Sequence, residues 1–234
     1  MKIIDRIFNK IISIRINYIV FPKEIARSMP IYCSWHVKWI GIKKGSILLE
    51  SDQIYKGMIQ IGFDRIAKGL LGGRDSIIDI EGSGQIVFKG KADLSQGISL
   101  RIADKAQLSI GGDFYSNGYC SIKCRKKITI GNGNMWGWNV VVMDTDGHPI
   151  YDKDHMIING NKEIQIGENV WLASYSKVLK GAIIPSGCIV GMGSLVTRQE
   201  QRKNVILAGI PARVMKEDIT WDRGEFPEEY DCLL

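Results

Sequence analysis

The amino-acid sequence predicts an all-β chain wound as a parallel β-helix of hexapeptide repeats, and two regularities carry that prediction. Steps of six give Ile130, Trp136 and Val142, then in the same phase Ile166, Leu172, Val178, Ile184, Val190 and Val196. All nine are apolar against a background of 45%, a run that a fixed frame meets by chance about once in a thousand. Four places after the downstream starts stand Val170, Ser176, Ala182, Cys188 and Ser194, all of modest size. One place after the starts stand Gly167, Ala173, Leu179, Pro185 and Gly191. An aliphatic residue, often a glycine next, and a small residue at the fifth place describe one short strand and one tight corner. Three such hexads make a turn of about 18 residues, and turns stack at about 4.8 Å. An α-helix repeats near 3.6 residues and does not tolerate this glycine and proline spacing.

The remaining elements follow in chain order. Residues 1–45 lie outside the repeats. Within them Ile3, Ile4, Ile7, Phe8 and Ile11 share one helical face, opposite Lys2, Arg6, Asn9, Lys10 and Ser13. Residues 1–20 therefore read as a helix whose apolar face caps the open end of the coil. The alternative is a basic amphipathic anchor at a membrane surface. Residues 46–215 carry the repeats; Phe88, Leu94, Leu100 and Ala106, then Ile110, Ser116, Ile122 and Ile128, keep the step in other phases, which implies extra residues at corners. Between 144 and 163 the hexad places fall on His148, Asp154 and Gly160, so the coil is interrupted there by a long loop. Residues 216–234 form an acidic tail; from Glu217 onward seven acids stand against one base, so that of the chain's net +6 the first 216 residues carry +12.

A basic body suits an anionic ligand such as a phosphorylated cofactor, an acidic glycan, nucleic acid or a lipid surface. Nucleic acid has the charge alone in its favour, without a matching fold or an aromatic platform. The five cysteines include no CxxC pair, which argues against a disulfide framework. Lys2, Asp5, Arg6 and Lys10 interrupt the first apolar residues, and no stretch approaches the roughly 18 apolar residues of a membrane span, so a cytoplasmic location is expected.

Chemistry points to the loop Asp144–Thr145–Asp146–Gly147–His148–Pro149–Ile150–Tyr151, since 144–163 holds two of the three histidines, His148 and His155. Histidine, with an unperturbed pKa of about 6.5, is the natural base for a hydroxyl near neutral pH.

These stretches resemble the galactoside and maltose O-acetyltransferases. The matching pieces are Asp113–Phe114–Tyr115–Ser116–Asn117, Ile128–Thr129–Ile130–Gly131 and Gly147–His148–Pro149, then Ile164 through Trp171 and Ala208–Gly209–Ile210–Pro211–Ala212–Arg213. The resemblance spans about residues 100–215 and is to the hexapeptide-repeat acyltransferases. It implies a left-handed coil, whereas the general preference of parallel crossovers is right-handed. It further implies transfer of acetyl from acetyl-CoA to a saccharide hydroxyl, with His148 as base and Asn117 positioning the acceptor or the tetrahedral intermediate. Trp171, Ser174, Met192, Thr197, Arg198 and Arg213 match positions lining the acetyl-CoA channel, and the assembly implied is a homotrimer with active sites between subunits. Neither a metal nor a nucleophilic cysteine is required. The basic N-terminal segment resembles that of capsular and exopolysaccharide O-acetyltransferases, which implies a cell-envelope acceptor.

The chain departs from that pattern in two places. Arg125 stands where the family has an acid, and the loop before His148 is one residue longer. Whether Asp144 or Asp146 orients the imidazole is open. Acetylation of an amino sugar's nitrogen or of a small antibiotic is the runner-up. A metal-dependent lyase on such a coil needs three converging histidines, whereas this chain has His36, His148 and His155, one of them outside the repeats. A non-catalytic scaffold would have no use for the loop histidine.

Overall fold

Inward-pointing aliphatic residues stack in columns along three flat faces, and the faces close into a prism. The computed structural model describes residues 3–63 and 75–224. Lys2, and the tail from Glu225 onward with Cys232, lie outside the described residues. The chain visits the three faces in rotation, so until the last turn strands that pair are three apart in sequence. The first face begins at Ile31–Cys33 and has nine strands, the second begins at Val37–Ile40 and has seven, and the third begins at Ile47–Leu49 and has six. Among the described strands all pairing between turns is parallel, and the closing hairpin Ile206–Gly209 with Ala212–Lys216 is antiparallel.

The hexad frame read from the sequence is a set of physical columns. Ser116, Trp136, Leu172 and Val190 are register partners on the first face. Ile122, Val142, Val178 and Val196 are partners on the second, and Ile130, Ile166 and Ile184 on the third. Every one of these side chains is buried. The 18-residue turn is met from Leu172 to Val190. Lower in the coil it is longer, at 20 residues from Ser116 to Trp136 and 22 from Leu94 to Ser116, the extra residues sitting in corners. Where the third face turns into the first, Gly111, Gly131 and Gly167 stack directly; a Cβ on Gly131 would lie 2.6 Å from the Gly167 backbone, so only glycine fits.

The N-terminal helix α1 (Ile3–Val20) does cap the coil, but with the face opposite to the expected one. It buries Asn9, Ser13, Ile16, Asn17 and Val20. The amide of Asn17 donates to the Ile31 carbonyl at 2.7 Å and accepts from the Ile31 N–H at 3.1 Å. The Cys33 N–H donates to Ser13 Oγ at 2.9 Å, and the Trp35 N–H to Asn9 Oδ1 at 2.8 Å. Asn9, Ser13 and Asn17, spaced by four, form a polar stripe that pairs with the edge strand as a further strand would. Ile3, Ile4, Ile7, Phe8 and Ile11 therefore face away and are exposed, Ile3 by 77%. The physical reason is that an edge strand's N–H and C=O groups must find partners, a demand apolar side chains cannot meet.

At the other end the described part of the 216–234 segment folds back over the first face. Trp221 Nε1 donates to the Asn169 carbonyl at 2.9 Å, and Arg223 donates to the carbonyls of Asp113 and Asn134 at 2.7 and 3.0 Å.

Candidate active site

The loop at 144–163 is a stretched corner. It leaves the second face after Val141–Met143 and rejoins the third at Ile164–Ile166. Its root is pinned by Asp144, fully buried, whose carboxylate accepts the backbone N–H groups of Arg125, Lys126 and Lys127 at 2.7, 2.8 and 2.9 Å. Further out, Asn159 Nδ2 donates to Asp146 and to the His148 carbonyl, both at 2.9 Å, and its Oδ1 accepts from the Ile150 N–H at 2.7 Å. The Lys180 ammonium donates to Asp146 and to the Asn159 carbonyl. Lys180 and Asn159 hold the Asp146 carboxyl below the usual carboxylate range. Neither aspartate is spent on the imidazole. Among the described residues the His148 side chain makes no hydrogen bond or ion pair, and it stands exposed on a loop braced around it.

His148 opens onto a cleft of about 240 Å³ lined by Arg125, Thr145, Asp146, Pro149 and Asn159 among others. A neighbouring cleft of about 190 Å³ shares Arg125 and adds Arg101 and Lys123 beside Asp79 and Glu81. Asp79, Arg101 and Lys123 are register partners on the outside of the second face. A larger cleft of about 620 Å³ lies beside α1, in the first turns of the coil, away from His148.

Asn117 sits elsewhere, at the corner between the first and second faces. The Tyr115 phenol donates to Asn117 Oδ1 at 2.8 Å, which leaves the amide nitrogen as the group Asn117 can offer a ligand. Ser174 lies two turns on at the same edge, its Oγ accepting the Trp138 N–H at 3.1 Å, and Met192, 70% exposed, follows one turn later. Thr197 and Arg198 follow the strand Leu195–Val196, at the corner between the second and third faces, the edge that also bears His148. Trp171 is half-buried on the first face with the Trp221 indole against it, ring centroids 5.9 Å apart. Arg213 is exposed on the closing hairpin.

Six of the eight residues picked out by sequence thus fall on two edges of one prism, while Trp171 lies on the first face and Arg213 on the closing hairpin. His148, Thr197 and Arg198 share one edge, Asn117, Ser174 and Met192 the other, with the second face between them. Asn159, Lys180 and Tyr115 were missed by sequence reasoning. Lys180 and Asn159 act on residues distant in sequence, whereas Tyr115 acts only two residues away, through a side-chain contact that the hexad count does not supply.

No cysteine among the described four is poised as a nucleophile. Burial pushes the Cys33 thiol up to about 11 and the Cys120 thiol up to about 12. Burial, and then the Asp144 carboxylate, raise Cys124, and burial raises Cys188. Such thiols stay protonated at neutral pH. Among the described residues no three His, Cys, Asp or Glu side chains cluster as metal ligands would.

No family model matches the chain. Over 130 residues it is 32% identical to a galactoside O-acetyltransferase of Escherichia coli K12, a match covering 53% of this chain and 61% of that protein. It is 32% identical over 146 residues to a polysialic acid O-acetyltransferase of Neisseria meningitidis, covering 62% of each. An uncharacterized 24.8 kDa protein in the cps region of Klebsiella pneumoniae is 29% identical over 187 residues, covering 77% of this chain and 83% of that one. The chain thus spans about three-fifths of the length of the two named enzymes. Among solved structures, a polySia-specific acetyltransferase superposes with a TM-score of 0.57 at 18% identity, over 85% of this chain and 92% of that one, which shows the shared fold. The chain is similar over part of its length to galactoside and polysialic acid O-acetyltransferases, and its coil is the left-handed β-helix of hexapeptide repeats.

Proposed function

We propose that this chain transfers an acetyl group from acetyl-CoA to a hydroxyl of a saccharide, a cell-envelope or capsular glycan, with His148 as the general base. The observation that carries the reading is an unencumbered imidazole on a loop that Asp144, Asn159 and Lys180 brace without touching it. His148 takes the proton of the acceptor hydroxyl as its oxygen attacks the thioester carbonyl. The tetrahedral intermediate's oxyanion is met by N–H donors, among them the Asn117 amide that Tyr115 orients. The carbon–sulfur bond then breaks, and the imidazolium returns its proton to the departing CoA sulfur. Transfer is direct, since Cys33, Cys120, Cys124 and Cys188 are buried thiols.

The split between two edges supports the homotrimer that the resemblance implies. In a threefold ring the first-to-second edge of one copy meets the second-to-third edge of the next, because such a ring joins two different patches of the same molecule. One copy then supplies His148, Thr197 and Arg198, and its neighbour supplies Asn117, Ser174 and Met192. Arg198 and Arg213 serve the phosphates of acetyl-CoA, where a guanidinium binds best. Trp171, backed by Trp221, serves as an apolar wall. Because acetyl-CoA is a cytoplasmic metabolite, the reaction is placed in the cytoplasm. No described helix is long and apolar enough to cross a membrane.

Arg101, Lys123 and Arg125, which outnumber Asp79 and Glu81 in the cleft adjoining that of the histidine, favour an acidic glycan over the runner-up, an amino sugar. Thiol release from acetyl-CoA, measured across neutral glycans, acidic glycans and amino sugars, tests the reading. Release with an acidic or neutral glycan supports it. Release with amino sugars alone moves the activity to nitrogen, and no release with any acceptor overturns it.

A further inference from the structure

The helix that closes the coil uses its polar stripe to do so, and this leaves an apolar stripe facing outward. Ile3, Ile7, Phe8, Ile11, Ile14 and Tyr18 are all at least 40% exposed, and the Trp35 ring lies 5.7 Å from that of Phe8. Singly exposed apolar residues need no explanation, but a continuous stripe along 18 residues of helix does. Charge is concentrated at the same end of the molecule, with eight bases against two acids between Ile3 and Leu49.

A second observation lies along the flank of the stripe. A cleft of about 620 Å³ is lined by Arg6, Lys10 and Lys56 together with Ile14, Met29 and Tyr32. Three cations around apolar walls, next to an apolar helix face, match a ligand with an anionic head and an aliphatic body.

We infer that α1 docks flat on an anionic phospholipid surface, its isoleucine stripe entering the boundary between headgroups and acyl chains and the Arg6–Lys10–Lys56 cleft receiving a lipid phosphate. Arg15 lies within the outward sector and is exposed, with an aliphatic stem that lies along the apolar surface while its charge reaches the headgroups. Phe8, Tyr18 and Trp35 are residues that favour the interfacial depth. A second copy of the chain fits this face less well. Two such helices docked face to face would press Arg15 into an apolar seam and bring like-charged flanks together. Capping and docking use opposite faces of one helix, so the two roles do not compete.

The test uses the full chain and cosedimentation with vesicles of phosphatidylcholine alone or of phosphatidylcholine with phosphatidylglycerol. The chain should bind the anionic vesicles and not the neutral ones. Ile7→Asn with Ile11→Asn should abolish binding without lowering the melting temperature, because both side chains are exposed and the capping hydrogen bonds are untouched. Arg6→Gln with Lys10→Gln should weaken binding by about thirtyfold, at roughly fivefold for each base near a charged surface. Binding that survives the isoleucine changes overturns the inference. So does an oligomer that falls apart in lipid-free buffer on those changes, which would make the face a contact between copies. Equal displacement of vesicles by inorganic phosphate at low millimolar concentration would also overturn it, assigning the cleft to a free anion.

Discussion

Replacing Asn17 with leucine removes the centre of the ladder that joins α1 to the coil. The two side chains are close in size, so the change tests hydrogen bonding and leaves packing nearly constant. In the structure Asn17 satisfies both the N–H and the C=O of Ile31, at 3.1 and 2.7 Å, and all three groups are buried. Leucine leaves both backbone groups without partners. Each stranded buried group costs about 1–3 kcal/mol, so the variant should lose about 2–6 kcal/mol. For a chain of this length that is a drop of roughly 4–24 °C in melting temperature. Hydrogen exchange read at the Ile31 and Cys33 amides should accelerate first, because the damage is local to the first turn. The companion change Ile11→Asn, on the exposed face, should cost less than about 0.5 kcal/mol. An Asn17→Leu variant as stable and as protected as the parent, alongside a destabilised Ile11→Asn, would refute the reversed cap.

Other expectations concern the site. His148→Ala should lower kcat by about two to four orders of magnitude with little change in KM for acetyl-CoA, while His155→Ala, in the exposed part of the loop, should cost little. Trp171→Ala and Arg213→Ala should raise KM for acetyl-CoA more than they lower kcat, since both contacts are made equally in ground and transition states; unchanged KM in both would place the donor elsewhere. Lys180→Met should release Asp146 and Asn159 and lower kcat by about tenfold through a loosened His148, with hydrogen exchange in the loop rising in step. The same brace has a defined acid limit. Because Lys180 depresses the Asp146 carboxyl, the brace is fully present above the ordinary carboxylate pKa and is lost as pH falls through the depressed value, so loop protection should persist below the ordinary range.

The coil was legible because its signal is repeated. One inward aliphatic residue per strand, from Ile130 to Val196, writes the same constraint many times, and each is buried where the frame puts it. The loop was legible for the converse reason, since His148 and Asp154 break that frame. The cap's orientation was misread because amphipathic periodicity records which residues differ, and not which side meets the protein. Asn9, Ser13 and Asn17 look like a solvent face until an edge strand needing partners is set beside them. The distribution of site residues over two edges was illegible for a metric reason. Turns of 20 and 22 residues, stretched at corners, cannot be counted from hexads of uniform length. Asp144 was visible as a candidate to orient the imidazole, but its three backbone partners one turn away were not.

A cleft shared between copies is tested by mixing two inactive variants, His148→Ala and Asn117→Ala, with exchange of subunits confirmed by mass. In a ring of three, each mixed assembly holds one junction where an intact His148 faces an intact Asn117, so equal mixing should restore about a quarter of the parent activity per site. Thiol release from acetyl-CoA with the preferred glycan should rise to that level. A mixture no more active than either variant alone, after proven exchange, would contradict a site built from His148 of one copy and Asn117 of the next.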